Sequence, residues 1–220
     1  MEKKKIKNLG KGIAISIVIV LLVLVIAVAR KVIIIKDLEK KVSNYTNITN
    51  YYEKAYQNQD GNIIVTESYV KDGNYLTTVN SKSETGERKI IGYSNGKTVN
   101  TYIESNEEKI ALLNSNGIPG PLKVNDWFYT ENIFQSIYAA LRTSIKTVEY
   151  NGKECYKIDN FYGTNFLYEN GSTSILIEKE TGLPLKVVNG ATFEYTYSFN
   201  TVTDSDIVEP DINQYTIHED

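Results

Sequence analysis

One cysteine and one histidine are all that this chain of 220 residues carries of the side chains most used in metal and nucleophile chemistry. A lone Cys155 permits no intrachain disulfide and no cysteine-based metal site. Burial as a structural thiol is the expectation for it, although alternation in Lys153-Glu154-Cys155-Tyr156-Lys157 sets it on the same strand face as two lysines. His218 stands third from the C-terminus, which excludes His-paired nucleophile catalysis and His-cluster zinc chemistry. The chain also lacks a Walker loop, a G-x-G-x-x-G turn, a G-x-S-x-G elbow, an H-E-x-x-H pair and an EF-hand loop. Asp204-Ser205-Asp206 has neither a glycine turn nor a distal ligand, so it reads as a solvated turn and not a Ca²⁺ loop. The expectation is a protein that is not an enzyme, with no catalytic residue, no metal and no cofactor.

Charge is unevenly spread. Residues 1–36 hold eight basic groups and one acid, Glu2, whereas residues 37–220 carry 16 basic and 26 acidic groups. An acidic domain repels phosphate backbones, which argues against nucleic acid as a partner. Between the basic clusters, Ile13 to Ala29 is a 17-residue apolar run broken only by Ser16. As a helix it spans about 26 Å, and Val32–Ile35 can extend it if Arg30 and Lys31 snorkel. Five lysines precede the run. They predict a single-pass cell-membrane anchor with a cytoplasmic N-terminus and an extracytoplasmic domain. Ala27-Val28-Ala29 also fits a signal-peptide cleavage site, but the apolar run exceeds the usual length of a cleaved one. The domain boundaries expected are a basic tail at 1–12, a transmembrane signal-anchor at 13–35, a juxtamembrane segment at 36–46 and an extracytoplasmic domain at 47–220.

Residues 36–58 read as helical, because Ile35, Leu38, Val42, Tyr45, Thr49, Tyr52 and Tyr56 recur at steps of three and four. Asn50 with Glu53 would cap a second helical segment after a break near Ser43–Asn47. Such a Tyr face packs on the domain or, alternatively, pairs with a second copy as a coiled coil. From Ile63 the pattern changes to β-rich runs at 63–70, 75–80, 89–94, 98–104 and 109–113, separated by Asp-Gly, Thr-Gly and Asn-Gly turns. A second meander runs through 145–150, 154–161, 165–169, 174–179, 185–188 and 192–199. Between them, Thr130 is placed to cap a helix whose Ile133, Phe134, Ile137, Tyr138 and Leu141 form one apolar stripe, expected to cover a sheet face. The fold class is therefore α+β, mostly antiparallel β: an N-terminal transmembrane helix, then a strongly curved sheet around an apolar interior with covering helices.

The strand Thr192–Phe199 alternates strictly, with Phe193, Tyr195, Tyr197 and Phe199 on one face. These four, with the stripe Ile133, Phe134, Ile137, Tyr138 and Leu141, are the candidate lining of a hydrophobic cavity. They serve equally as a filled core, since each aromatic buries some 150–250 Å² on its own account.

Several segments in order resemble the LolA/LolB/RseB-like superfamily, the outer-membrane lipoprotein carrier fold, in a membrane-anchored envelope form. They are Tyr51-Tyr52-Glu53-Lys54-Ala55-Tyr56, Val70-Lys71-Asp72-Gly73-Asn74-Tyr75, Tyr93-Ser94-Asn95-Gly96-Lys97, Asn151-Gly152-Lys153-Glu154-Cys155-Tyr156-Lys157-Ile158, Ile177-Glu178-Lys179-Glu180-Thr181-Gly182-Leu183-Pro184-Leu185-Lys186 and Tyr197-Ser198-Phe199-Asn200-Thr201-Val202. The resemblance implies an unclosed β-barrel plugged by helices, with a cavity for acyl chains or a role in sensing lipoproteins. An anchored chain departs from the diffusing carriers, so the expected function is a tethered, non-enzymatic domain binding a lipid, lipoprotein or other hydrophobic envelope component. The alternative is a protein-interaction or regulatory sensor module with a self-filled core and an envelope protein partner.

Overall fold

The computed structural model describes residues 2–45, 47–84, 86–106, 108–115, 119–120, 132–160 and 173–219. The expected strand at 165–169, the turn Asn170-Gly171 and the cap Thr130 lie outside them.

A single unbroken helix, α1 (Glu2–Ser43), opens the chain. Leucine, isoleucine and valine fill it from Ile13, and Lys36, Lys40 and Lys41 with Asp37 and Glu39 continue it. Lys36–Glu39 and Asp37–Lys41 ion pairs, both at 2.7 Å, bridge successive turns. The helix has two environments. The eleven large apolar side chains from Ile15 to Ile26 are each between 54 and 64 % exposed, whereas Ile35 and Leu38 are fully buried. α1 thus runs past the boundary expected at residue 35, and its last two turns belong to the core of the domain.

The chain then enters β1 (Asn50–Gln59), where the sequence reading expected helix. The step of four between Tyr52 and Tyr56 suits one face of a helix or of a strand, and pairing decides between them. β1 lies between two long partners, in register with β2 (Asn62–Lys71) on one side and β11 (Ala191–Phe199) on the other. Asn50 caps no helix. Its side-chain amide donates to the Val202 carbonyl at 2.9 Å and its oxygen accepts from the Val202 amide at 3.0 Å, which ties the end of β11 to the start of β1.

The meander continues through β3 (Asn74–Ser83), β4 (Gly86–Ser94), β5 (Val99–Ser105) and β6 (Lys109–Leu113). After α2 (Ile133–Arg142) come β7 (Ser144–Tyr150), β8 (Lys153–Asp159), β9 (Ser174–Glu178) and β10 (Pro184–Asn189), leading to β11. The tail ends as β12 (Thr216–Glu219), parallel to β6. The twelve strands of the described residues form one curved, unclosed sheet in the order β12-β6-β5-β4-β3-β2-β1-β11-β10-β9-β8-β7. β1 and β11, nearly 140 residues apart in the chain, join the two meanders at its middle. Asp60, Asp72 and Asn151 hold positive φ in the tight hairpins, each followed by a glycine that also does.

Each half of the sheet has its own apolar cluster. Ile35 and Leu38 of α1 pack with Ala140 of α2 on Ile158, Ile175, Ile177 and Val187. On the opposite face of the other meander, Ile91, Tyr102 and Ala111 pack under Tyr215 of the tail, which Tyr102 meets edge-on at 5.0 Å. Glu209 in that tail accepts hydrogen bonds from Tyr102 and Asn100. Asp204–Asp206 is a 3-10 turn in which Asp204 pairs with Lys71 at 2.7 Å and Asp206 accepts from Thr203.

Candidate ligand-binding face

Strand register sets the arrangement of the helix-covered face. Phe193, Tyr195, Tyr197 and Phe199 alternate along β11 and stand opposite Gln57, Ala55, Glu53 and Tyr51 of β1. Their environments differ. Phe193 packs against the cluster beneath α1, and Tyr195 sits at its margin. Tyr195, Tyr197 and Phe199 then form a nearly parallel ladder, with ring centroids 6.3 and 6.4 Å apart. Tyr45, just past the end of α1, closes the ladder against Phe199 at 4.6 Å.

A cavity of about 370 Å³ opens beside this ladder. Tyr45, Leu183, Leu185, Tyr195, Tyr197 and Phe199 supply its apolar wall, while Lys153, Glu178 and Glu180 supply charge. Lys153 and Glu178 pair at 3.0 Å, and Glu178 also accepts from the Thr181 hydroxyl at 2.7 Å. The turn at Thr181-Gly182 is seated on α1. Gly182 has φ +76°, and a Cβ there would stand 2.9 Å from Lys41 Cβ and 3.0 Å from the Leu38 carbonyl. Only glycine meets both conditions without strain. A larger concavity of about 550 Å³ lies at the far ends of β2 to β5, lined mainly by polar and charged residues such as Lys82, Glu87, Arg88 and Glu104. It has no comparable aromatic wall.

The aromatic wall meets a buried polar row. Tyr197, Glu53, Ser68, Thr77, Gly92 and Thr101 are successive register partners across β11 and β1 to β5. Ser68 and Thr77 share a hydrogen bond at 2.9 Å, and Thr101 pairs with Ser115 at 2.8 Å. At Gly92 the Pro119 carbonyl comes so close that a Cβ would lie 2.0 Å from it. Glu53 is 1 % exposed. Its Oε2 and the Tyr197 hydroxyl are buried with no hydrogen-bond partner. Burial pushes the Glu53 carboxyl up to about 7. Tyr51 is pushed up to about 12, first by burial and then by the Glu53 charge, and the same causes raise Tyr195 and Tyr197. The helix reading of 50–58 makes Glu53 the capping partner of Asn50 and not a site residue; as part of a strand it lies on the face of Tyr51 and Ala55, opposite Tyr197.

The other half of the sequence candidates is placed elsewhere. The α2 stripe does not cover the aromatic face. Ile133, Phe134, Ile137, Tyr138 and Leu141 are 38 to 78 % exposed, and the residues α2 buries are Ser136 and Ala140. Small side chains let α2 approach α1 closely, and α1 takes the covering position that periodicity alone had assigned to α2. The α2 cap is Asn132, whose side chain accepts from the Gln135 amide at 3.0 Å. Among the described residues no group of three His, Cys, Asp or Glu side chains is arranged to hold a metal ion.

No protein-family model matches the chain, and no curated protein matches it. Solved structures do. A DUF1329 family protein from Desulfovibrio piger is 11 % identical, with 81 % of this chain and 97 % of that one covered and a TM-score of 0.33. MucB is 11 % identical over 80 % of this chain and 62 % of its own, with a TM-score of 0.41. The Pseudomonas aeruginosa MucA/MucB complex matches at 11 % identity, 82 % and 61 % coverage and a TM-score of 0.38. The chain thus spans somewhat less than two thirds of the MucB chains. All three are 11 % identical to this chain and all three TM-scores lie below 0.5.

Proposed function

We propose that this protein is a non-enzymatic envelope domain, tethered by α1 to the outer side of a cell membrane, that takes a hydrophobic envelope component such as a lipid or lipoprotein acyl chain into the Tyr45–Tyr197–Phe199 cavity. The carrying observation is the division of α1. Twelve residues that no part of the domain covers are continuous with turns locked in its core, so one helix serves as span and as structural element. The five lysines before the span favour a cytoplasmic N-terminus. The cavity supports the ligand class: its volume falls within the usual range for small-molecule sites, and an aromatic and aliphatic wall faces a polar side formed by Asn151, Lys153, Glu178, Glu180, Thr181 and Thr196.

The test uses the full chain in membranes and a photoactivatable fatty acid. Cross-linked peptides should map to Tyr45 and to the β11 segment around Tyr197 and Phe199. Cross-links confined to Ile15–Ile26 would mean that the probe saw only the bilayer around the span, and the binding role would be lost. Topology is read separately. Glu84, exposed beside the β3–β4 hairpin, should label as Glu84→Cys with an impermeant maleimide on intact cells.

A further inference from the structure

The geometry points to α2 as a second membrane contact: an interfacial helix that lays Ile133, Phe134, Ile137, Tyr138 and Leu141 on the outer surface of the bilayer crossed by α1. This rests on the tether reading. At 100° per residue these five side chains fall within an arc of about 140°, to one side of the Ser136–Ala140 strip that packs inward. All are exposed, Phe134 at 78 % and Leu141 at 63 %. A patch of five large apolar side chains on one ten-residue helix is not an ordinary water-facing surface.

Its height relative to the span identifies the occupant. Lys31 Nζ donates to the Ala140 and Thr143 carbonyls at 3.1 and 2.6 Å, so the end of α2 is fixed level with Lys31. Lys31 lies two residues beyond Ala29, the end of the apolar run, which is about 3 Å along the helix axis. That puts the end of α2 at the outer boundary of the hydrocarbon core, where amphipathic helices bury their apolar faces by ~5–10 Å. Ile33, 67 % exposed, continues the apolar surface of α1 past Lys31. Arg30 and Arg142 are exposed cations near this junction and suit anionic headgroups. Tyr138, whose hydroxyl accepts from Arg142, has the polar tip and apolar ring favoured at an interface.

The experiment places an environment-sensitive nitrobenzoxadiazole label on full-length protein, one site at a time, at Phe134→Cys, Leu141→Cys, Val20→Cys and Glu84→Cys. Each is reconstituted in vesicles of phosphatidylcholine with a minority of phosphatidylglycerol. Native Cys155 is fully buried and does not compete for label. Quenching lipids carry a nitroxide either just below the headgroup or deep in the chain. The expected result is that the Phe134 and Leu141 labels lose roughly half their emission to the shallow quencher and less to the deep one, the signature of an interfacial helix. Val20 should respond to the deep quencher and Glu84 to neither. If Val20 is quenched while Phe134 and Leu141 emit as in water, docking of α2 is overturned and the tether stands. Labels at 134 and 141 shielded from water yet unquenched by either lipid would mean that a second copy or another protein covers the stripe, which also overturns it. An unquenched Val20 removes the tether itself.

Discussion

At the scale of single residues, the buried polar row determines how stability responds to pH. Unfolded, the Glu53 carboxyl ionises from its ordinary value near 4.5, whereas folded it holds its proton to about 7. Between those values the native state binds more protons than the unfolded chain, so stability falls as pH rises through this window and stays lowered above it. The difference is worth roughly 3 kcal/mol. Glu53→Gln should flatten this part of the profile, so its gain over the wild type appears at pH 8 and shrinks at pH 4.5. Urea melts of both proteins at the two pH values measure it, and equal profiles would mean that the carboxyl is hydrated. Tyr197→Phe deletes an unpartnered hydroxyl and should be neutral or stabilising by about 1 kcal/mol. Gly92→Ala drives a methyl group into the Pro119 carbonyl and should cost about 1–3 kcal/mol in the same melts. Cys155 is fully buried despite the neighbouring lysines, and burial pushes its thiol up, so native protein should label with maleimide only after denaturation.

At the scale of elements, the two helices exchange the roles that their patterns suggest. α2 has the stripe of a core helix but turns Ser136 and Ala140 inward. α1 has the composition of a membrane span but contributes Ile35, Leu38 and Val42 to the core. Leu38→Ala should cost about 2–5 kcal/mol, as buried leucines do. Lys31 joins the two helices through the Ala140 and Thr143 carbonyls. Lys31→Met should therefore speed amide exchange in α2 before it changes exchange in β8 to β10; equal acceleration of both would show that the lysine serves the whole core and not this junction.

At the scale of the whole molecule, a continuous α1 makes the domain's orientation relative to the uncovered apolar run a matter of helix phase. Inserting two residues rotates everything downstream by about 200°. Placed after Ile26, the insertion leaves the Ile35–Val42 face on the sheet and should change the melt by no more than about 0.5 kcal/mol. Placed after Ile35, it turns Leu38 and Val42 off the sheet, and loss of two buried aliphatic contacts should cost several kcal/mol. Comparable losses at both sites would show that the span and the domain are not mechanically separate. Among the described residues the sheet has two free edges, β7 and the four-residue β12. β7 carries Lys146 and Glu149, charges that discourage edge-to-edge association.

Local chemistry alone determined much of this protein. Asp-Gly and Asn-Gly turns, period-two alternation and glycine at the tight loops made most of the meander strands readable, along with the shared face of Phe193, Tyr195, Tyr197 and Phe199. The apolar run and its flanking lysines marked the candidate span in the same way, since length and charge are properties of the chain itself. Tertiary structure decided the rest. Tyr45, Tyr52 and Tyr56 fit a helical spacing, and the flanking strands β2 and β11 made a strand of the last two, because long-range backbone pairing outweighs a short periodic signal. Hydrophobic pattern showed that α2 has an apolar side but not what that side faces. The close approach of two helices through Ser136, Ala140 and Lys31 turned it outward, and the end of α1 set Tyr45 against Phe199 at the cavity.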